Sequence, residues 1–110
     1  MTEALIVFTT FPNPDDAARV TRTLVEERLI ACGNLLPGAR SVYRWQGAIV
    51  DEREVVVLMK SRKQDWAALL SRLHELHPYQ TPECLALRVA AGAPKYLEWL
   101  EAELQPERDA

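Results

Sequence analysis

Two short segments of this chain, Leu5-Ile6-Val7-Phe8 and Val55-Val56-Val57-Leu58-Met59, are apolar at every position. Both are brief and rich in β-branched residues, so both read as strands. Successive side chains of a strand emerge on opposite faces of its sheet. A sheet built on these strands is therefore oily on both sides, and water must be kept from each. That excludes a two-layer monomer with one solvated sheet face, whose strands would alternate apolar and polar residues.

The rest of the chain supplies the other elements. Ala4–Thr10 is the first strand. Asn13-Pro14-Asp15-Asp16 opens a helix that runs to about Arg28, with Asn13 as the cap, Pro14 in the first turn and two aspartates facing the positive end. This assigns the acidic pair to helix electrostatics rather than catalysis. Ala17, Val20, Leu24 and Val25 share one side of that helix. Leu29–Leu36 is a second strand, interrupted by Pro37-Gly38 as a turn or a bulged bend. Arg40–Val50 continues extended, the polar run Asp51–Glu54 is expected as a hairpin tip, and Val55–Lys60 returns, with Gly47 marking a bulge. Ser61 and Gln64 have the capping-box spacing for a helix carrying Trp66, Leu69, Leu70, Leu73 and Leu76. Pro78 stops that helix near His77. Tyr79–Pro82 is a loop, Glu83–Ala91 the last strand, and Gly92-Ala93-Pro94 opens a third helix striped by Leu97, Leu100 and Leu104. Residues 1–105 make one domain and 106–110 a polar tail.

This order is the split βαβ pattern, an α+β, ferredoxin-like sandwich with a long β-hairpin and an extra C-terminal helix. Two helices cover only one face of its antiparallel sheet. The third covers part of the other, and copies of the same chain are the commonest way to cover the remainder. The long hairpin points the same way, since a lone two-stranded ribbon is marginal in water. A ring of identical chains is the expected working form.

Charge and composition narrow the function. Thirteen basic and sixteen acidic residues give a net charge of −3, and Lys60, Arg62 and Lys63 form the one basic cluster. Nucleic acid is not an expected partner. No segment approaches membrane-spanning length and no basic, apolar leader is seen, so the chain reads as cytoplasmic with no membrane partner. Cys32 and Cys84 sit in apolar, strand-like surroundings and are expected to pack as small hydrophobes. Metal motifs of known spacing, a phosphate-binding glycine loop and a nucleophile elbow are all missing, so no catalytic residue and no enzyme activity is expected.

The least ordinary stretch is His77-Pro78-Tyr79-Gln80-Thr81-Pro82-Glu83. Two prolines stiffen a loop that presents an imidazole, a phenol and a carboxylate. One reading makes it a site; the other makes it a helix stop, with His77 bonded to backbone. His74 and His77 share a helix face at spacing three, although His74 reads as a surface residue. Lys60 ends a strand, where it could meet a small anion. Tyr43 and Trp45 fall on one side of the hairpin and read as packing or interface residues.

Four stretches resemble signatures of the CutA family of divalent-cation tolerance proteins. They are Glu26 through Gly38, Ser41-Val42-Tyr43-Arg44-Trp45-Gln46-Gly47, His77-Pro78-Tyr79 through Pro82-Glu83, and Tyr96-Leu97-Glu98-Trp99-Leu100. Together they span nearly the whole chain. The resemblance implies a ferredoxin-like homotrimer, built like the PII-type signalling trimers, with sheets facing inward and helices outward. It also implies a role in tolerance of copper and other divalent cations, and clefts between subunits where polar residues gather. On that basis Cys32, Asn34, Tyr43, Trp45, Lys60, His77, Tyr79 and Glu83 are the candidate cleft residues. A copper site proposed in some members uses a Cys, a His and a Glu, at the positions held here by Thr9, Leu76 and Glu83. Only the glutamate remains. Glu83 with His77 is then the expected weak site for a divalent cation, Cu²⁺ or Zn²⁺, helped by groups from a neighbour. A PII-like sensor of a small anionic metabolite or nucleotide is the alternative.

Overall fold

A computed structural model describes residues 2–104; the tail expected at 106–110 lies outside them. Asn13 caps the first helix as its sequence implies, its side-chain oxygen accepting from the Asp16 N–H at 2.8 Å, with Pro14 in the first turn. In chain order the elements are β1 (Ala4–Phe11), α1 (Pro14–Glu26), β2 (Cys32–Trp45), β3 (Ala48–Arg62), a 3-10 turn (Lys63–Asp65), α2 (Trp66–Leu76), β4 (Cys84–Arg88) and α3 (Pro94–Glu103). The strands form one antiparallel sheet in the order β2-β3-β1-β4. This is the split βαβ arrangement, with β1 and β3 central.

The register sorts the side chains into two faces. One carries Leu5, Val7, Phe11, Val55, Val57 and Met59, all buried with Ala17, Val20 and Leu24 of α1 and Leu69 and Leu73 of α2. On the other, Ile6 stands between Lys60 and Leu87, Phe8 between Leu58 and Leu85, and Val56 between Thr10 and Leu36. Among the described residues no helix lies over the middle of this second face: Leu36, Leu85 and Leu87 remain 46%, 57% and 53% exposed. Helix α3 covers one end alone, where Leu100 and Leu104 bury against Ala4 and Ala31.

Several boundaries differ from the sequence reading, each for a visible reason. The hairpin turns at Gln46-Gly47, both with positive φ (50° and 83°), as a two-residue turn requires. The polar run Asp51–Glu54 belongs to β3. It resembles a tip only because the ribbon it lies in projects beyond β1, where charged side chains are tolerated on a strand. Ser61 does not cap α2; it is a buried strand residue whose hydroxyl donates to the Leu29 carbonyl at 2.8 Å. Helix α1 ends before Arg28, which adopts φ 60° while Leu29 N–H bonds back to the Leu24 carbonyl. Val25 is exposed and Thr21 takes its place in the core. The last strand stops at Arg88 rather than Ala91.

The basic cluster is not a surface patch. Arg62 is 3% exposed and donates to Asp65 Oδ2 and Glu101 Oε1, both at 2.5 Å, tying α3 to the end of the sheet. Cys32 and Cys84 are both free thiols, on strands at opposite edges of the sheet.

Gly33 marks the closest approach of α1 to the sheet. A Cβ there would sit 2.6 Å from the Thr21 Cγ2 methyl, which is itself buried. Gly33→Ala is expected to lower stability in urea by about 1–3 kcal/mol. Thr21→Ser removes that methyl, so the double variant should recover most of the loss. Strict additivity of the two changes would show that the clash is not the cause.

Candidate functional site

Helix α2 ends where Pro78 forbids a helical His77, whose backbone is extended (φ −75°, ψ 136°). The imidazole turns inward and stacks on Phe11, with ring centroids 4.3 Å apart. Its Nδ1 accepts the Tyr79 backbone N–H at 3.0 Å. Nε2 must then carry the proton, which it donates to the Thr10 carbonyl at 2.8 Å. Both nitrogens are committed, so His77 has no lone pair to offer a metal, and its role as a ligand beside Glu83 is corrected to that of a strut. Nor do His74 and His77 share a helix face, because His77 lies past the helix end. The strut fastens the following loop to the end of β1 and sets Tyr79 in place.

Across from that loop stands the projecting ribbon of β2 and β3. A register break between Leu36 and Ala39, at Pro37-Gly38, puts one extra residue into β2. The extra residue switches the side-chain parity of the strand. Before the break the even-numbered residues Cys32 and Asn34 share the uncovered sheet face; after it the odd-numbered Ser41, Tyr43 and Trp45 do. Glu52 and Glu54 of β3 emerge on that same side. Tyr43 OH donates to Glu52 Oε1 at 2.6 Å, and Tyr79 OH donates to Glu54 Oε2 at 2.6 Å. Tyr43, Tyr79 and Glu54 line a cleft of ≈ 800 Å³ whose walls also include Thr10, Trp45, Gln80 and Glu83.

The electrostatics follow from these contacts. The Glu52 carboxylate pushes the Tyr43 phenol up to about 12. Burial, and then the Glu54 carboxylate, raise Tyr79 as well. Both phenols stay protonated at neutral pH and act as donors, not as anionic ligands. Burial lowers the His77 pKa, outweighing its bond to the Thr10 carbonyl.

The candidate residues therefore separate. Tyr43, Trp45, Tyr79 and Glu83 line the cleft, and His77 stands behind its wall. Cys32, Asn34 and Lys60 lie elsewhere on the uncovered face: Lys60 Nζ contacts Asn34 Oδ1, and Cys32 Sγ lies 3.5 Å from Tyr96 OH. Sequence reasoning missed Glu52 and Glu54. Their alternate spacing was a signal, hidden by reading Asp51–Glu54 as a turn. Thr9 is fully buried on the helix side, Leu76 packs against the same core, and Glu83 is exposed, so these three positions do not face one ion. Among the described residues no three His, Cys, Asp or Glu side chains are grouped to hold a metal. No helix among them is long and apolar enough to cross a membrane.

Residues 5–103 match the family described as CutA1 divalent ion tolerance protein. A divalent-cation tolerance protein CutA from Pectobacterium atrosepticum is 45% identical over 103 residues, covering 94% of each chain. The crystal structure of CutA from Xylella fastidiosa superimposes with a TM-score of 0.92 at 41% identity, covering 94% of this chain and all of that one. A structure from Archaeoglobus fulgidus, 26% identical with a TM-score of 0.89 over 93% of this chain and 99% of its own, is described as a periplasmic divalent cation tolerance protein CutA.

The strut at His77 makes stability depend on pH. Its folded pKa lies below the ordinary 6.5, so between the two values the unfolded chain binds more protons. The stabilisation is fully present above about 6.5 and is lost as pH falls from there towards the folded value. Protonation of Nδ1 would also break the Tyr79 N–H bond. The melting temperature of the native protein should drop more between pH about 8 and about 5 than that of His77→Asn, which cannot titrate. Parallel curves would remove His77 from the acid sensitivity.

Proposed function

The chain belongs to the CutA divalent-cation tolerance family, and from that membership we propose that it acts as a homotrimer in tolerance of divalent cations, with ligand clefts completed between subunits. The observation that carries this reading is the uncovered sheet face. Ile6, Phe8, Val56, Leu58, Leu85 and Leu87 form a continuous oily surface that no helix among the described residues covers. A closed ring of three copies, sheets inward, removes it from water and leaves α1 and α2 outside. The ribbon beyond Ala39 would then lie against a neighbour, and Val42 and Ile49, 63% and 62% exposed in one chain, fit a contact there.

Within that reading a divalent cation, Cu²⁺ or Zn²⁺, is held weakly at the cleft by Glu83, with further ligands from the adjoining copy. Carboxylate oxygen alone gives little preference among such ions, which suits a weak site. The action is binding rather than catalysis. A sensor of a small anion is not favoured, since Glu54 and Glu83 line the cleft and no Lys or Arg does. A cytoplasmic location fits the two free thiols.

Light scattering at micromolar concentration is expected to give a particle of three 12.5 kDa chains, and Leu58→Glu to reduce it to one. A native particle of a single chain would overturn the trimer. Calorimetry with Cu²⁺ and Zn²⁺ should show weak binding that Glu83→Ala abolishes. Equal binding by both proteins would take Glu83 out of the account.

A further inference from the structure

The inner end of the cleft carries a carboxylate that no ion pair among the described residues balances. Glu54 is only 7% exposed, yet among the described residues no ion pair engages it. Its Oε2 receives the Tyr79 phenol, and Oε1 is not among the buried polar atoms left without a partner, as an oxygen open to the cleft would not be. A carboxylate so nearly enclosed, with one oxygen facing a cleft, is placed to accept a charge-assisted bond from a positive group. Around it stand the rings of Tyr43, Tyr79 and Trp45. An inorganic ion does not suit this place, because Glu52 and Glu54 each already take a phenol proton and no third acidic or imidazole ligand joins them. Aromatic faces around a carboxylate do suit a flat organic cation, which gains from ring quadrupoles and donates charge-assisted hydrogen bonds at once.

We infer that the cleft between the Tyr79 loop and the β2–β3 ribbon binds a small organic cation with an amidinium or guanidinium head and an apolar body, Glu54 being its counter-charge. The head meets Glu54 Oε1, and the body lies against Tyr43 and Trp45. This site is distinct from Glu83 and does not depend on a metal. It rests on the proposed assembly only in requiring that the cleft stay open there.

The test uses the intact protein and three probes of one shape but different charge: benzamidinium, benzamide and benzoate. Calorimetry is expected to show saturable binding of benzamidinium, benzamide weaker by about tenfold or more, and no binding of benzoate. Glu54→Gln should bring benzamidinium down to the level of benzamide. Trp45→Ala, at a position 52% exposed on the ribbon, should weaken benzamidinium without unfolding the chain, and carries the test if Glu54→Gln does not fold. Equal binding of benzamidinium and benzamide, or benzamidinium binding unchanged in the variants, overturns the inference. So does no binding by the native assembly, the result expected if an arginine of a second copy fills the cleft. Light scattering on the same samples keeps the two proposals apart: a single-chain particle that still prefers benzamidinium sinks the trimer and leaves this site standing.

Discussion

Phe8 and Leu58 stand side by side on a sheet face whose middle no helix among the described residues crosses, and most of the architecture answers to that contact with water. The helix-side residues of the same strands are packed to zero or near-zero exposure, so the core proper is complete within one chain. The second face is a different matter. Helix α3 shields one end of it, anchored by the buried Arg62 between Asp65 and Glu101. The middle is left for something outside the chain. The buried pair is Arg62 with Asp65; the bond onward to Glu101 is half exposed, so α3 is held as much by Leu100 and Leu104 packed on Ala4 and Ala31 as by charge.

The cleft is tied to that same sheet by His77. One ring makes three kinds of contact: it stacks on Phe11 in the core, donates to the Thr10 carbonyl at the end of β1, and accepts from Tyr79 in the loop. Core packing thereby sets the position of a phenol at the rim of the cleft. The imidazole that looked most reactive in the sequence is the residue most fully engaged in holding the fold.

Much of the fold could be read without coordinates because its signals are local. Asn13 and Pro14 write the start of α1, Pro78 writes the end of α2, and the unbroken apolar runs write the two central strands. What could not be read depended on partners distant in sequence. Arg62 looks like one of three surface cations until Glu101, thirty-nine residues on, is brought to it. Ser61 looks like a cap until the Leu29 carbonyl approaches. The cleft was half legible: Tyr43, Trp45, Tyr79 and Glu83 were identified from the residues and the family resemblance. Glu52 and Glu54 were hidden because a charged run on an exposed ribbon has the composition of a turn, whereas the actual turn, Gln46-Gly47, offered only one glycine.

The extra residue at Pro37-Gly38 decides more than the bend of one strand. The ribbon beyond it has two sides of different chemistry: Tyr43 and Trp45 with Glu52 and Glu54 on one, Arg40, Arg44 and Arg53 with Asp51 on the other. Deleting a single residue at the break would turn Tyr43 and Trp45 of β2 away from the cleft and bring Arg40 and Arg44 towards it, while Glu52 and Glu54 of β3, whose register with β1 the break does not set, would stay. A change of one codon there would thus set a basic strand beside the same two carboxylates in place of an aromatic one, while leaving every side chain of the ribbon chemically unaltered.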